Sequence, residues 1–154
     1  MPAGFRPRHC PNPLAGRSRA HGDPSPAGLN RAANDAARAE ISSWPGYAPT
    51  PLLDMAGLAG ELKIGRLWLK DEAQRFGLKS FKALGGAYAV LSVLRHVLER
   101  DHGVAHVSSA ALRAGQYAEQ VAAITVCCAT DGNHGRAVAW GARIFGCGCA
   151  IPLH

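Results

Sequence analysis

No uninterrupted apolar run in this 154-residue chain approaches the ~20 residues that a membrane-spanning helix needs. No apolar core of a secretion signal is visible, and no segment repeats. The expectation is a soluble protein of the cytoplasm with no membrane partner. Acidic residues are missing from the start of the chain: Arg6, Arg8, Arg17 and Arg19 all precede the first one, Asp23. The formal net charge of +6 therefore sits largely in a Pro/Gly-rich leader, which argues against a nucleic-acid-binding surface. Pro2, Pro7, Pro11 and Pro13 oppose the amphipathic helix of a mitochondrial presequence. Residues 1–26 are expected to be a disordered basic leader, and 27–154 a single domain.

Cysteine is scarce, with five residues: Cys10, Cys127, Cys128, Cys147 and Cys149. An odd count without a secretion signal argues against a disulfide framework. The pairs are adjacent or one residue apart, not at the roughly two-to-four-residue spacing of zinc sites. No metal is expected, and the thiols should be reduced and buried. In a strand, Cys127 and Cys128 would point to opposite faces.

What is present suits one globular domain, since 47% of the residues are hydrophobic. An Ala-rich polar helix is expected from Ala27 to Ser43, ended by Trp44-Pro45-Gly46. Pro49 to Leu53 should be extended. One or two helical turns follow from Met55 to Leu62, then a short buried strand over Leu67–Lys70 and a glycine-containing loop from Gln74 to Lys79. From Ser80, a plausible N-cap, the residues Phe81, Leu84, Tyr88, Leu91 and Leu94 recur at helical spacing as far as about Arg100. Residues 101–121 are partly helical around Gly115. Ala123 to Ala129 reads as a buried strand, Thr130 to Gly135 as a turn-rich loop, and Val138, Ala142 and Phe145 as one helical stripe. Gly146 and Gly148 close that helix, and Cys149-Ala150-Ile151 begins another strand. Strand, loop, helix and strand form a βαβ unit.

Two constellations carry chemistry. In Ser80-Phe81-Lys82-Ala83-Leu84-Gly85-Gly86, a lysine occupies the first turn of a helix, where the macrodipole disfavours a cation. A neutral amine is the form that attacks a carbonyl. Two glycines in a helix cost stability but let a planar group or another backbone come close. The alternative is a surface lysine with two incidental glycines. In Thr130-Asp131-Gly132-Asn133-His134-Gly135, free N–H groups at a helix start offer an anion site, and Asn133 both donates and accepts. Here the alternative is an ordinary capping loop, with His134 structural.

Lys70-Asp71-Glu72 and Arg75 through Tyr88 together resemble the cofactor-lysine region of fold-type II pyridoxal-phosphate enzymes. Within that superfamily the chain looks most like diaminopropionate ammonia-lyase. Trp44 to Leu52 is similar to that family's entry segment, and Thr130 to Trp140 to its asparagine loop. The resemblance runs from about Ile41 to His154 and implies an α/β fold of the tryptophan synthase β-like type. It implies that Lys82 carries pyridoxal 5'-phosphate and that Asn133 hydrogen-bonds the cofactor's ring hydroxyl. Thr130, Gly132, Asn133 and His134 would surround the carboxylate of a small amino-acid substrate, with Asp131 as general base. A carboxylate at Asp131 suits a substrate bearing an extra amine. The implied reaction is α,β-elimination from 2,3-diaminopropionate to pyruvate and ammonia, by a homodimer when full-length.

Residues 101–122 match this pattern poorly, and 1–23 match nothing. The family's glycine-rich phosphate cup and its partner for the pyridine nitrogen come later than His154. The expectation is therefore an N-terminal part of the enzyme domain, incomplete at the C-terminus and inactive alone. Two other readings stand beside it: a dehydratase acting on serine or threonine, and a non-catalytic remnant.

Overall fold

The structure, a computed structural model, describes residues 30–130 and 132–152. The leader expected over 1–26 and the side chain of Asp131 lie outside the described residues. Two compact units divide between Asn34 and Asp35. In the first, Asn30 Oδ1 accepts from the Ala33 N–H at 2.9 Å. The elements in order are α1 (Arg31–Ser42), β1 (Leu52–Asp54), α2 (Ala56–Leu62), β2 (Trp68–Lys70), a 3-10 segment (Glu72–Gly77), α3 (Lys82–His102), α4 (Ser109–Arg113), α5 (Ala118–Ala122), β3 (Thr125–Cys127), α6 (Asn133–Phe145) and β4 (Gly148–Ala150).

The core of the second unit forms around α3. Val90, Leu91, Leu94 and Leu98 bury one stripe of it, and Val138, Ala142 and Phe145 of α6 pack into the same core. Each such side chain contributes roughly 1.5–3 kcal/mol by leaving water. Trp44 seals the end of the core, with its ring centroid 5.8 Å from Phe145 and 6.1 Å from both Phe76 and Trp140. Its indole N–H donates to Glu40 Oε1 at 2.9 Å, and Arg95 reaches Glu40 Oε2 at 2.6 Å from the middle of α3. The helix ends at His102, where Gly103 takes a left-handed φ of 65°.

Strands β3 and β4 are parallel, in the register Thr125↔Gly148, Val126↔Cys149 and Cys127↔Ala150, with α6 as the crossover. The expected βαβ unit is therefore formed. Its strands are less buried than expected: Thr125, Cys127, Cys149 and Ala150 are exposed, because only one face of this two-stranded sheet packs on the core. The thiols of Cys127 and Cys149 are correspondingly exposed rather than buried. Strand β2 departs in the same way. It pairs antiparallel with β1 alone, leaving Trp68 54% and Leu69 49% exposed. Phe81, expected on the apolar stripe, is 61% exposed because the helix begins one residue after it.

The expected loop over Gln74–Lys79 overlaps the 3-10 segment Glu72–Gly77, which is broken by a kink at Arg75 and Phe76 and is built round a buried charge. The Arg75 guanidinium donates to both oxygens of Glu72, at 2.8 and 3.0 Å, and to the carbonyl of Ala48 at 2.8 Å. Thr50 Oγ1 donates to Glu72 Oε1 at 2.5 Å, and Lys70 Nζ donates to the Thr50 carbonyl at 2.5 Å. Arg75 also lies 5.2 Å from the Tyr47 ring centre. The network fastens the extended 47–51 segment to the stretch that leads into α3. Hydrogen bonding from Arg75 comes first among the causes that hold the Glu72 carboxyl down at about 2, against burial, which pushes it up. Because the folded value lies below the ordinary 4.5, the stabilisation is full above pH 4.5 and is lost as pH falls toward 2. Thermal denaturation should show stability falling across that window. Glu72→Gln should lower stability near neutral pH and flatten the dependence; an unchanged pH profile in the variant would contradict this role.

Candidate active site at the paired helix starts

Lys82 is the first residue of α3 and Asn133 the first residue of α6. Backbone packing brings these two starts to the same end of the helix pair. The helices run parallel: Gly86 lies against Ala137 and Val138, and further along both helices Gly141 lies against Ala87 and Val90. Lys82 stands one turn before Gly86, and Asn133 one turn before Ala137. The side chains of Lys82, Asn133 and His134 are exposed, as is Gly132, and Thr130 is half-buried.

Local sequence explains each start. Ser80 is buried, and its Oγ accepts from the Lys82 N–H at 3.2 Å, so the serine satisfies a donor at the head of α3 even though Phe81 intervenes. At α6 the capping position is Gly132, which has no side chain to accept from the first N–H groups. Asn133, His134 and Gly135 belong to the first helical turn, not to the loop that the sequence suggested. Their N–H groups sit where strand β3 runs out, the end of a parallel strand at which α/β folds bind ligands. Gly135 is buried because a Cβ there would lie 2.9 Å from Thr130 Cγ2 and 3.2 Å from Ile151 Cγ2. It seats the first turn of α6 against the loop and the end of β4. Sequence reading passed over Gly141 as a site-shaping residue. The signal that would have found it is the small-residue spacing shared by Gly86-Ala87 and Ala137–Gly141.

The donor set fits pyridoxal phosphate at its reactive end. Lys82 offers an amine, Asn133 an amide, and Thr130 with the uncapped start of α6 a hydroxyl and free N–H groups, residue types that suit an aldehyde, a ring hydroxyl and a carboxylate. An open hollow of about 450 Å³ lies elsewhere, lined by Arg95, Glu99, His106 and Ser108 among others, and shares none of these residues. Among the described residues, no cluster of His, Cys, Asp or Glu could hold a metal ion.

The model of a family described as pyridoxal-phosphate dependent enzymes matches residues 43–154. The diaminopropionate ammonia-lyase of Salmonella typhimurium (strain LT2) is 45% identical over 102 residues, covering 66% of this chain and 25% of its own length. That of Escherichia coli (strain K12) is 39% identical over 108 residues, covering 70% and 26%. A crystal structure of Escherichia coli diaminopropionate ammonia lyase in apo form has a TM-score of 0.68 and 33% identity, over 84% of this chain and 34% of that one. The chain thus spans about a quarter of the length of the curated relatives it matches.

Incubation with pyridoxal phosphate, borohydride reduction and peptide mapping should put the label on Lys82. A label on Lys79 instead would contradict the site drawn from the helix starts.

Proposed function

Since this chain belongs to the pyridoxal-phosphate-dependent enzyme family, with the α/β architecture of fold type II, we propose that it is part of an ammonia-lyase. Its reaction is α,β-elimination from 2,3-diaminopropionate, giving pyruvate and ammonia. The observation that supports this reading is that Lys82 and Asn133 begin two helices packed together at Gly86–Ala137 and Ala87–Gly141. The shared name of the relatives supports the choice of substrate.

The cofactor, when bound, supplies an electron sink for the carbanion that forms at the substrate's α-carbon. The protein's residues do the rest. Lys82 holds the cofactor through its amine. Asn133 fixes the ring by hydrogen-bonding its hydroxyl. The Thr130 hydroxyl and the N–H groups of Gly132, Asn133 and His134 bind the substrate carboxylate, the charge that a helix N-terminus favours. Asp131 acts as the base, and its negative charge attracts the second ammonium group of the substrate. A serine or threonine substrate has no such group, so a carboxylate here disfavours a dehydratase.

On this reading the enzyme works in the cytoplasm on a small amino acid, as a homodimer, with neither nucleic acid nor membrane as partner. The exposed thiols of Cys127 and Cys149 suit a reducing compartment. Among the described residues, no helix is long and apolar enough to cross a membrane.

In the enzyme carrying this sequence, Asp131→Asn should reduce ammonia release from diaminopropionate by ~10²–10⁴-fold, the range for loss of a general base. Unchanged turnover, or a preference for threonine in the parent, would favour the dehydratase instead.

A further inference from the structure

The glycines of α3 are not alike. Gly85 has open space where a Cβ would go. At Gly86 a Cβ would lie 2.9 Å from the Cβ of Ala137 and 3.3 Å from both its carbonyl carbon and the Val138 nitrogen. Across the seam, a Cβ at Gly141 would lie 2.8 Å from Ala87 Cα and 3.0 Å from Ala87 Cβ. Glycine inside a helix weakens it, and both of these stand within helices, Gly86 one turn into α3 and Gly141 two turns into α6. They permit backbone-to-backbone contact from both sides of one interface.

We propose that Gly86 and Gly141 are positioning residues for the cofactor site, fixing α3 and α6 in the one axial register that sets Lys82 level with Asn133. The proposal rests on the reading of Lys82 as the cofactor lysine.

The physical case has two parts. Further along the two helices, Leu91, Leu94 and Leu98 of α3 are fully buried, and Phe145 of α6 nearly so. The far end of the pair is therefore packed and resists separation. A methyl group added at Gly86 is accommodated by tilting or sliding the near end. That end is the site, because Lys82 is one turn before Gly86 and Asn133 one turn before Ala137. A slip of a whole turn would carry Lys82 about 5.4 Å past Asn133, and catalytic groups tolerate far less. Neither glycine has a side chain that could reach the cofactor, so the glycines act only through helix placement.

A methyl swap tests this. Gly86→Ala, Ala137→Gly and the double variant Gly86→Ala/Ala137→Gly are made in the enzyme carrying this sequence. Cofactor affinity, the pH midpoint of the visible cofactor band and borohydride labelling of Lys82 are then measured beside the melting temperature. Gly86→Ala should weaken cofactor binding by about tenfold or more and displace the pH midpoint, with any label still on Lys82. The double variant moves the methyl across the seam and relieves the 2.9 Å clash. It should recover most of both properties. A purely structural glycine would lower the melting temperature and leave the band unmoved, so that result in a folded Gly86→Ala overturns the proposal. If Gly86→Ala fails to fold, the double variant decides: recovered binding and band support the proposal, and failure to recover overturns it. Absence of label from Lys82 in the parent would overturn the cofactor-lysine reading and this proposal together. A labelled parent with unaffected variants would overturn this proposal alone.

Discussion

Backbone contact between α3 and α6 at Gly86 and Gly141 is the constraint on which the other features of the site depend. Helix axes usually stand 8–10 Å apart, separated by side chains that interdigitate. Here glycine removes the side chain on each side in turn, so the separation is set by Ala87 and Ala137. Once that seam is closed, two helix starts distant in sequence lie at the same end of the helix pair. Burial of Leu91, Leu94, Leu98 and Phe145 supplies the driving force, and the small residues supply the geometry.

A second fastening acts upstream. The Glu72–Arg75 pair, with Thr50 and Lys70, holds the extended 47–51 segment against the 3-10 turn that delivers the chain to Ser80 and Lys82. Arg75 is only 6% exposed, yet its donors reach Glu72, the Ala48 carbonyl and Thr50 Oγ1. A buried cation satisfied to that degree rigidifies its surroundings, whereas one left half-paired would destabilise them. The motif around Lys70–Glu72 and Arg75 therefore serves the lysine at a distance, by fixing the path of the backbone toward it.

Much of this was legible in the sequence because it rests on local signals. The helical spacing of Leu84, Tyr88, Leu91 and Leu94 identified α3. The β-prone run before Thr130 identified β3, while α6 begins at Asn133, inside the stretch that reads as a loop. Burial was less legible. Trp68, Leu69 and Phe81 are apolar and were expected inside, but apolarity does not say whether a partner layer covers a strand or a helix start. The 3-10 segment was hidden because a bidentate arginine pair, not periodicity, shapes it. The register of α3 on α6 could not be read from either helix alone, since it depends on Gly86 meeting Ala137 and Gly141 meeting Ala87 across the seam. Asp131 carries the strongest claim on substrate choice and rests on sequence alone, since it lies outside the described residues.

The central claim is that paired helix starts present Lys82 and Asn133 to one cofactor. A crystal structure of the enzyme grown with pyridoxal phosphate tests it most directly. The account predicts density continuous with Lys82 Nζ, the cofactor ring within hydrogen-bonding reach of Asn133, and Gly86 still against Ala137. Cofactor bound through another lysine, or α3 and α6 displaced by a turn, would contradict it.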